Sequence, residues 1–137
     1  VFKRILIPTD GSGFGREALK RGLELARAAG GEVTLLYALE DPASSSARPL
    51  RTAERLRARA QEVLEQFSAQ ARAQGVPAKT LLAETHPVTA ILEAAKDHDL
   101  IVMATHNRKG IERVLMGSVT DKVFHNCSTP LLVIRKR

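Results

Sequence analysis

The sequence predicts an α/β fold in which a parallel sheet of five strands is covered by helices on both faces. Three observations carry this prediction. Five short runs rich in Ile, Leu and Val alternate with four stretches of helical periodicity, and such alternation implies right-handed crossovers between parallel strands. The run "EVTLLYAL" is apolar almost throughout, the pattern of a strand buried on both sides. Finally, the 137 residues contain no internal repeat, low-complexity tract or linker, so the alternation belongs to one doubly wound domain, 1–137.

The elements follow in order. "KRILIPTD" reads as a strand with Ile5 and Ile7 on one side, stopped by Pro8. In "GSGFGREALKRGLELARAAGG", Phe14, Ala18, Gly22, Leu25, Ala26 and Ala29 recur at helical spacing. Ser12 is placed to cap this helix, and Gly30-Gly31 ends it. "EVTLLYAL" is the second strand, and "EDPASSSARP" reads as a polar, flexible loop. A long helix is expected from Pro49 to Gln74, with an inner stripe of Ala53, Leu56, Ala60, Val63, Leu64, Phe67 and Ala71, closed by Gly75. "AKTLLAE" is the third strand, and "PVTAILEAAKDH" a helix with Pro87 in its first turn. "DLIVMAT", the helix "SVTDKVFHNC" and the strand "PLLVIRK" complete the chain.

Composition narrows the function classes. No apolar stretch approaches the roughly 18 residues that span a bilayer. "VFKRILIPTD" superficially resembles a signal peptide, but Asp10 interrupts the apolar run and no small-residue cleavage site follows. A cytoplasmic protein is expected. Cys127, the single cysteine, excludes an internal disulfide, fits a reducing compartment, and reads as packing rather than catalysis. The net charge of +6 raises the question of nucleic acid. Aromatic residues make up only 4% of the chain and Trp is absent, so stacking platforms are scarce. Much of the basic excess lies between Arg48 and Arg59 and reads as a solvated helix face. His86, His98 and His125 show no metal-ligand spacing.

An open parallel sheet binds ligands beyond the carboxyl ends of its strands, where the strand order reverses. Two loops have suitable chemistry. Pro8-Thr9-Asp10-Gly11-Ser12 follows the first strand and offers a carboxylate and hydroxyls to a sugar. "ATHNRKGIERVLMGS" follows the fourth strand, carries Arg108, Lys109 and Arg113, and ends with Gly117-Ser118 at a helix start. Free N–H groups at a helix N-terminus, backed by the helix dipole, favour an anion. Each residue also has a purely structural reading, Ser118 as an N-cap and Asp10 as a turn carboxylate. His106 sits inside the second loop, but no acid–base partner can be assigned to it from sequence.

With these loops in view, the chain resembles the universal stress protein family over essentially its whole length. The markers are "ILIPTDGS", "PVTAILEAA", "DLIVMATHNRKGIERVLMGSVTDKV" and "STPLLVIR". The resemblance implies a strand order of 3-2-1-4-5, which sets the first and fourth strands side by side. It also implies a homodimer, paired through the last strand (residues 130–136), an apolar edge that needs cover. Its nucleotide-binding members carry Gly-x-x-Gly, nine residues, then Gly and Ser or Thr. On this chain those positions hold Ala104, Asn107, Gly117 and Ser118, so both leading glycines are absent. Asn tolerates a left-handed backbone better than other non-glycine residues, whereas Ala104 adds a methyl group where the family backbone nears phosphate. Thr85-His86 departs from a glycine common before the third helix.

The resemblance implies an adenine nucleotide, ATP, with Asp10 taking the ribose and Pro8, Thr9 and Ala38 lining base and sugar. Gly117, Ser118 and Val119 would take phosphates, with His106, Asn107 and Arg108 shaping the loop and attracting the anion. Magnesium or manganese would arrive held by the phosphates. Hydrolysis is expected to be slow or negligible, and membrane or nucleic-acid partners are not expected. The alternative, favoured by the two missing glycines, is a nucleotide-independent dimeric interaction module.

Overall fold

Alternating side chains of each central strand enter two separate cores. In the computed structural model, which describes residues 2–11, 13–39, 50–106 and 118–136, the order is β1 (Arg4–Thr9), α1 (Gly13–Ala29), β2 (Glu32–Ala38), α2 (Leu50–Ala73), β3 (Ala78–Ala83), α3 (Pro87–Ala95), β4 (Leu100–His106), α4 (Ser118–Asn126) and β5 (Leu131–Lys136). Ile5, Ile7, Val33, Leu35, Leu100 and Val102 pack against Leu19 and Leu23 of α1 and Val63, Leu64 and Phe67 of α2. Leu6, Leu36, Ile101 and Met103 face the other way, against Ala90, Ile91 and Ala95 of α3 and Val123 of α4. The period of two in the strands thus serves helices on both sides.

The five strands are parallel in the order β3-β2-β1-β4-β5, as the resemblance implies. The long helix keeps its expected stripe, with Ala53, Ala60, Val63, Leu64, Phe67 and Ala71 buried and Leu56 half-buried. Gly75 closes it with an N–H donated to the Arg72 carbonyl at 2.9 Å. Arg55 and Arg59 lie exposed on α2, while Arg57 pairs with Glu84 beyond β3. The expected cap Ser12 and the loop 40–49 fall outside the described residues.

Several boundaries differ by a residue from the sequence expectation, and three differences have a physical reason in the structure. Pro8 does not stop β1, which runs on to Thr9 with Pro8 opposite Leu36. The β1–β4 ladder ends at Leu6, so the donor that proline lacks falls where β4 is no longer paired. The third helix ends at Ala95 rather than His98. There the N–H groups of Lys96, Asp97 and His98 donate to carbonyls three residues back, at 3.4, 3.2 and 3.1 Å, which tightens and ends the turn. His106, expected inside the loop, is the last residue of β4, held in register by pairing with Lys136.

Candidate functional site

The site is defined by where the sheet stops being zipped. β1 pairs with β2 over six positions, from Arg4↔Glu32 to Thr9↔Tyr37. β4 pairs with β5 over six more, ending at His106↔Lys136. Between β1 and β4, however, the ladder holds only Ile5↔Leu100 and Leu6↔Ile101. The carboxyl halves of these neighbouring strands are therefore unpaired with each other. β1 continues into α1 on one face and β4 leads to α4 on the other, which makes this seam the point where strand order reverses.

On the β1 side the turn is held from several directions. Thr9 is buried, and its hydroxyl accepts the Gly11 N–H at 3.1 Å, the local bond that a Thr side chain offers a turn. Gly15 of α1 packs directly on that hydroxyl, since a Cβ there would lie 2.3 Å from Thr9 Oγ1. What Thr9 presents outward is therefore main chain. Gly11 has φ +82°, a left-handed conformation that favours glycine, and a Cβ at this position would meet Val63 Cγ2 at 3.0 Å. Asp10 lies exposed between the two, and its carbonyl accepts the Tyr37 O–H at 3.2 Å. Burial, then the Asp10 carboxylate, push the Tyr37 phenol above its ordinary range, with Arg59 pulling the other way. Ala38, next to Tyr37, packs against the opposite core with Leu36.

On the β4 side, Ala104 is half-buried against the α1/α2 core, as is its ladder partner Ile134. Its methyl group is thus turned away from the face on which α4 packs. Ser118 is exposed at the first position of α4, and Val119 behind it packs into the α3/α4 core, leaving its main chain for contact. Asp121 in the first turn of α4 suits the helix dipole and contacts His125 Nε2 at 3.2 Å. Asn107, Arg108, Lys109, Arg113 and Gly117, the remainder of the anticipated phosphate loop, lie outside the described residues.

Three residues acquire roles that the sequence did not disclose. Tyr37 is the last position of β2 on the α1/α2 side, and its register opposite Thr9 brings the phenol to Asp10. His86 caps α3: its Nδ1 accepts the Val88 N–H at 3.2 Å. His98 joins α3 to β2, with Nδ1 2.6 Å from the Ala94 carbonyl and Nε2 2.8 Å from Thr34 Oγ1. The Cys127 sulfur accepts the Thr129 N–H at 3.4 Å and packs against the α3/α4 core. Among the described residues, no group of three or more His, Cys, Asp or Glu is placed to hold a metal ion. No helix among them is long and apolar enough to cross a membrane.

A parallel sheet of this order, with helices on both faces and a reversal seam between β1 and β4, defines a Rossmann-like, doubly wound α/β domain. The profile of the universal stress protein family matches residues 2–135, and the chain belongs to that family. The universal stress protein MJ0531 of Methanocaldococcus jannaschii is 36% identical over 144 residues, covering 99% of this chain and 84% of the relative. The solved structure of MJ0577 superposes with a TM-score of 0.84 at 26% identity, covering 99% of this chain and 97% of the other. The same fold is found in a universal stress protein in complex with cAMP (TM-score 0.73, 22% identity, 98% and 97% covered). It is found again in one from Archaeoglobus fulgidus in complex with dAMP (TM-score 0.72, 21% identity, 98% of each chain).

Proposed function

We propose that this universal stress protein binds an adenine nucleotide, ATP, across the seam between β1 and β4, and acts in the cytoplasm as a dimeric stress-response protein. The observation that carries the reading is the early end of the β1–β4 ladder beside the exposed Asp10 turn. Relatives solved with cAMP and dAMP support the adenine class of ligand. In this reading Asp10 takes ribose hydroxyls as an acceptor, and the main chain of Pro8, Thr9 and Ala38 borders base and sugar. The N-terminus of α4 at Ser118 and Val119 takes phosphate, together with Gly117, Asn107 and Arg108. At position 104 the reading is supported by the half-buried Ala104 methyl, which packs against the α1/α2 core. A divalent cation would be held by the phosphates themselves, and we expect hydrolysis to be slow or negligible. The dimer forms along β5, an edge strand on which Leu132 is 37% exposed.

The second reading is a dimeric interaction module without nucleotide, favoured by the non-glycine residues at 104 and 107. Isothermal titration with ATP, with and without magnesium, separates the two. The first reading expects saturable heat that Asp10→Ala weakens at least about tenfold, the scale of hydrogen bonds to a charged group. Absence of heat at high protein concentration, with an unchanged melting temperature, supports the second.

A further inference from the structure

We infer that Tyr37 is a positioning residue, fixing the main chain that presents Asp10 and thereby setting how strongly the cleft reads ribose hydroxyls. The inference rests on the nucleotide reading above. The half-buried Tyr37 ring packs against the α1/α2 core and its hydroxyl is engaged by the Asp10 carbonyl, so the proposed action is through Asp10. Its register opposite Thr9 and its O–H to the Asp10 carbonyl tie the end of β2 to the residue whose side chain the reading uses.

The phenol completes a clamp on the peptide between Asp10 and Gly11. Thr9 Oγ1 anchors Gly11 through its N–H, and Val63 backs Gly11 from α2. The Thr9 hydroxyl and the Tyr37 phenol hold the two polar ends of one planar peptide unit, the Gly11 N–H and the Asp10 carbonyl, and so together fix the plane that follows the carboxylate-bearing residue. A recognition group held in one orientation loses less freedom when it binds. The phenol is also kept a donor, since burial and the Asp10 charge hold it protonated above the ordinary tyrosine range.

The test compares ATP with 2′,3′-dideoxy-ATP by isothermal titration on the wild type, Tyr37→Phe and Asp10→Ala. Phe keeps the ring and its packing and removes only the donor. The wild type is expected to prefer ATP about tenfold or more, and Asp10→Ala to lose that preference. Tyr37→Phe should lower the preference about three- to fivefold, with affinity for the dideoxy ligand unchanged. An unchanged preference in Tyr37→Phe, or equal weakening of both ligands, overturns the inference while leaving the nucleotide reading intact. Failure of the wild type to bind or to discriminate overturns the reading and this inference with it.

A second measurement needs no variant. Tyr37 is the single tyrosine and Trp is absent, so tyrosinate absorbance near 295 nm, a general tyrosinate signature, reports this residue alone. If the protonated phenol supports binding, linkage requires ATP to raise the pH at which it ionises. Coincident titrations with and without saturating ATP overturn the inference.

Discussion

At the amino edge of the sheet, neighbouring segments are tied together through main chain and the Asp99 carboxylate; at the carboxyl edge the central seam is left unzipped. The Asp99 carboxylate accepts the N–H groups of Lys3 and Arg4 at 3.2 and 3.0 Å, and the Asp99 N–H donates to the Arg4 carbonyl at 2.8 Å. Glu32 donates to the Lys3 carbonyl, Val33 to Pro77 and Ile101 to Pro130, at 2.7, 3.0 and 2.9 Å. These bonds link the starts of β1 with β4, β1 with β2, β2 with β3, and β4 with β5. At the opposite edge Leu39 still ties β2 to β3 through the Ala83 carbonyl at 2.8 Å, but β1 and β4 have parted after Leu6 and Ile101. One edge spends its polar groups on the chain itself. The other presents Asp10 and Ser118 at the surface.

Substitutions should therefore sort by edge. Gly31→Ala is expected to have the largest effect, because a Cβ there would lie 2.5 Å from the Lys3 carbonyl oxygen and 2.7 Å from Lys3 Cα. Both are main-chain atoms, so β1 and β2 must shift apart. Urea unfolding should show a loss of about 2–3 kcal/mol, and a loss below about 0.5 kcal/mol would contradict close approach at this edge. Asp99→Ala leaves two N–H groups without their carboxylate partner at an exposed position. A loss of about 1 kcal/mol is expected, with ATP titration heats unchanged per folded molecule. Asp10→Ala inverts the pattern, with stability within about 0.5 kcal/mol of wild type and a large loss of affinity. Equal losses of stability from both aspartates would erase the distinction between the edges.

The same contrast explains what was legible in the sequence. Ile5, Ile7, Val33 and Leu35 follow period two, and the α2 stripe from Ala53 to Ala71 follows the helical period, so elements and cores could be read locally. The strand order could not, because alternation alone permits several parallel arrangements; it entered through the family motifs. Asp10 and Ser118 were legible as candidates because their chemistry is carried by their own side chains. Thr9, Tyr37 and His86 depend on what lies opposite them. Thr9 turns its hydroxyl inward because Gly15 and Gly11 meet it there, and Tyr37 reaches Asp10 only through the β1–β2 register. The capping bond of His86 exists only once α3 has started at Pro87. Pro8 was misjudged as a stop because its missing donor matters only where a neighbouring strand would accept it.

Amide chemical-shift mapping upon addition of ATP tests the central claim most directly. The account predicts shifts at Thr9, Asp10, Gly11, Ala38, Ser118 and Val119, while Lys3, Gly31, Glu32 and Asp99 stay in place. Shifts centred on that second group, or none at saturating ATP, would contradict an adenine-nucleotide site at the open end of the sheet.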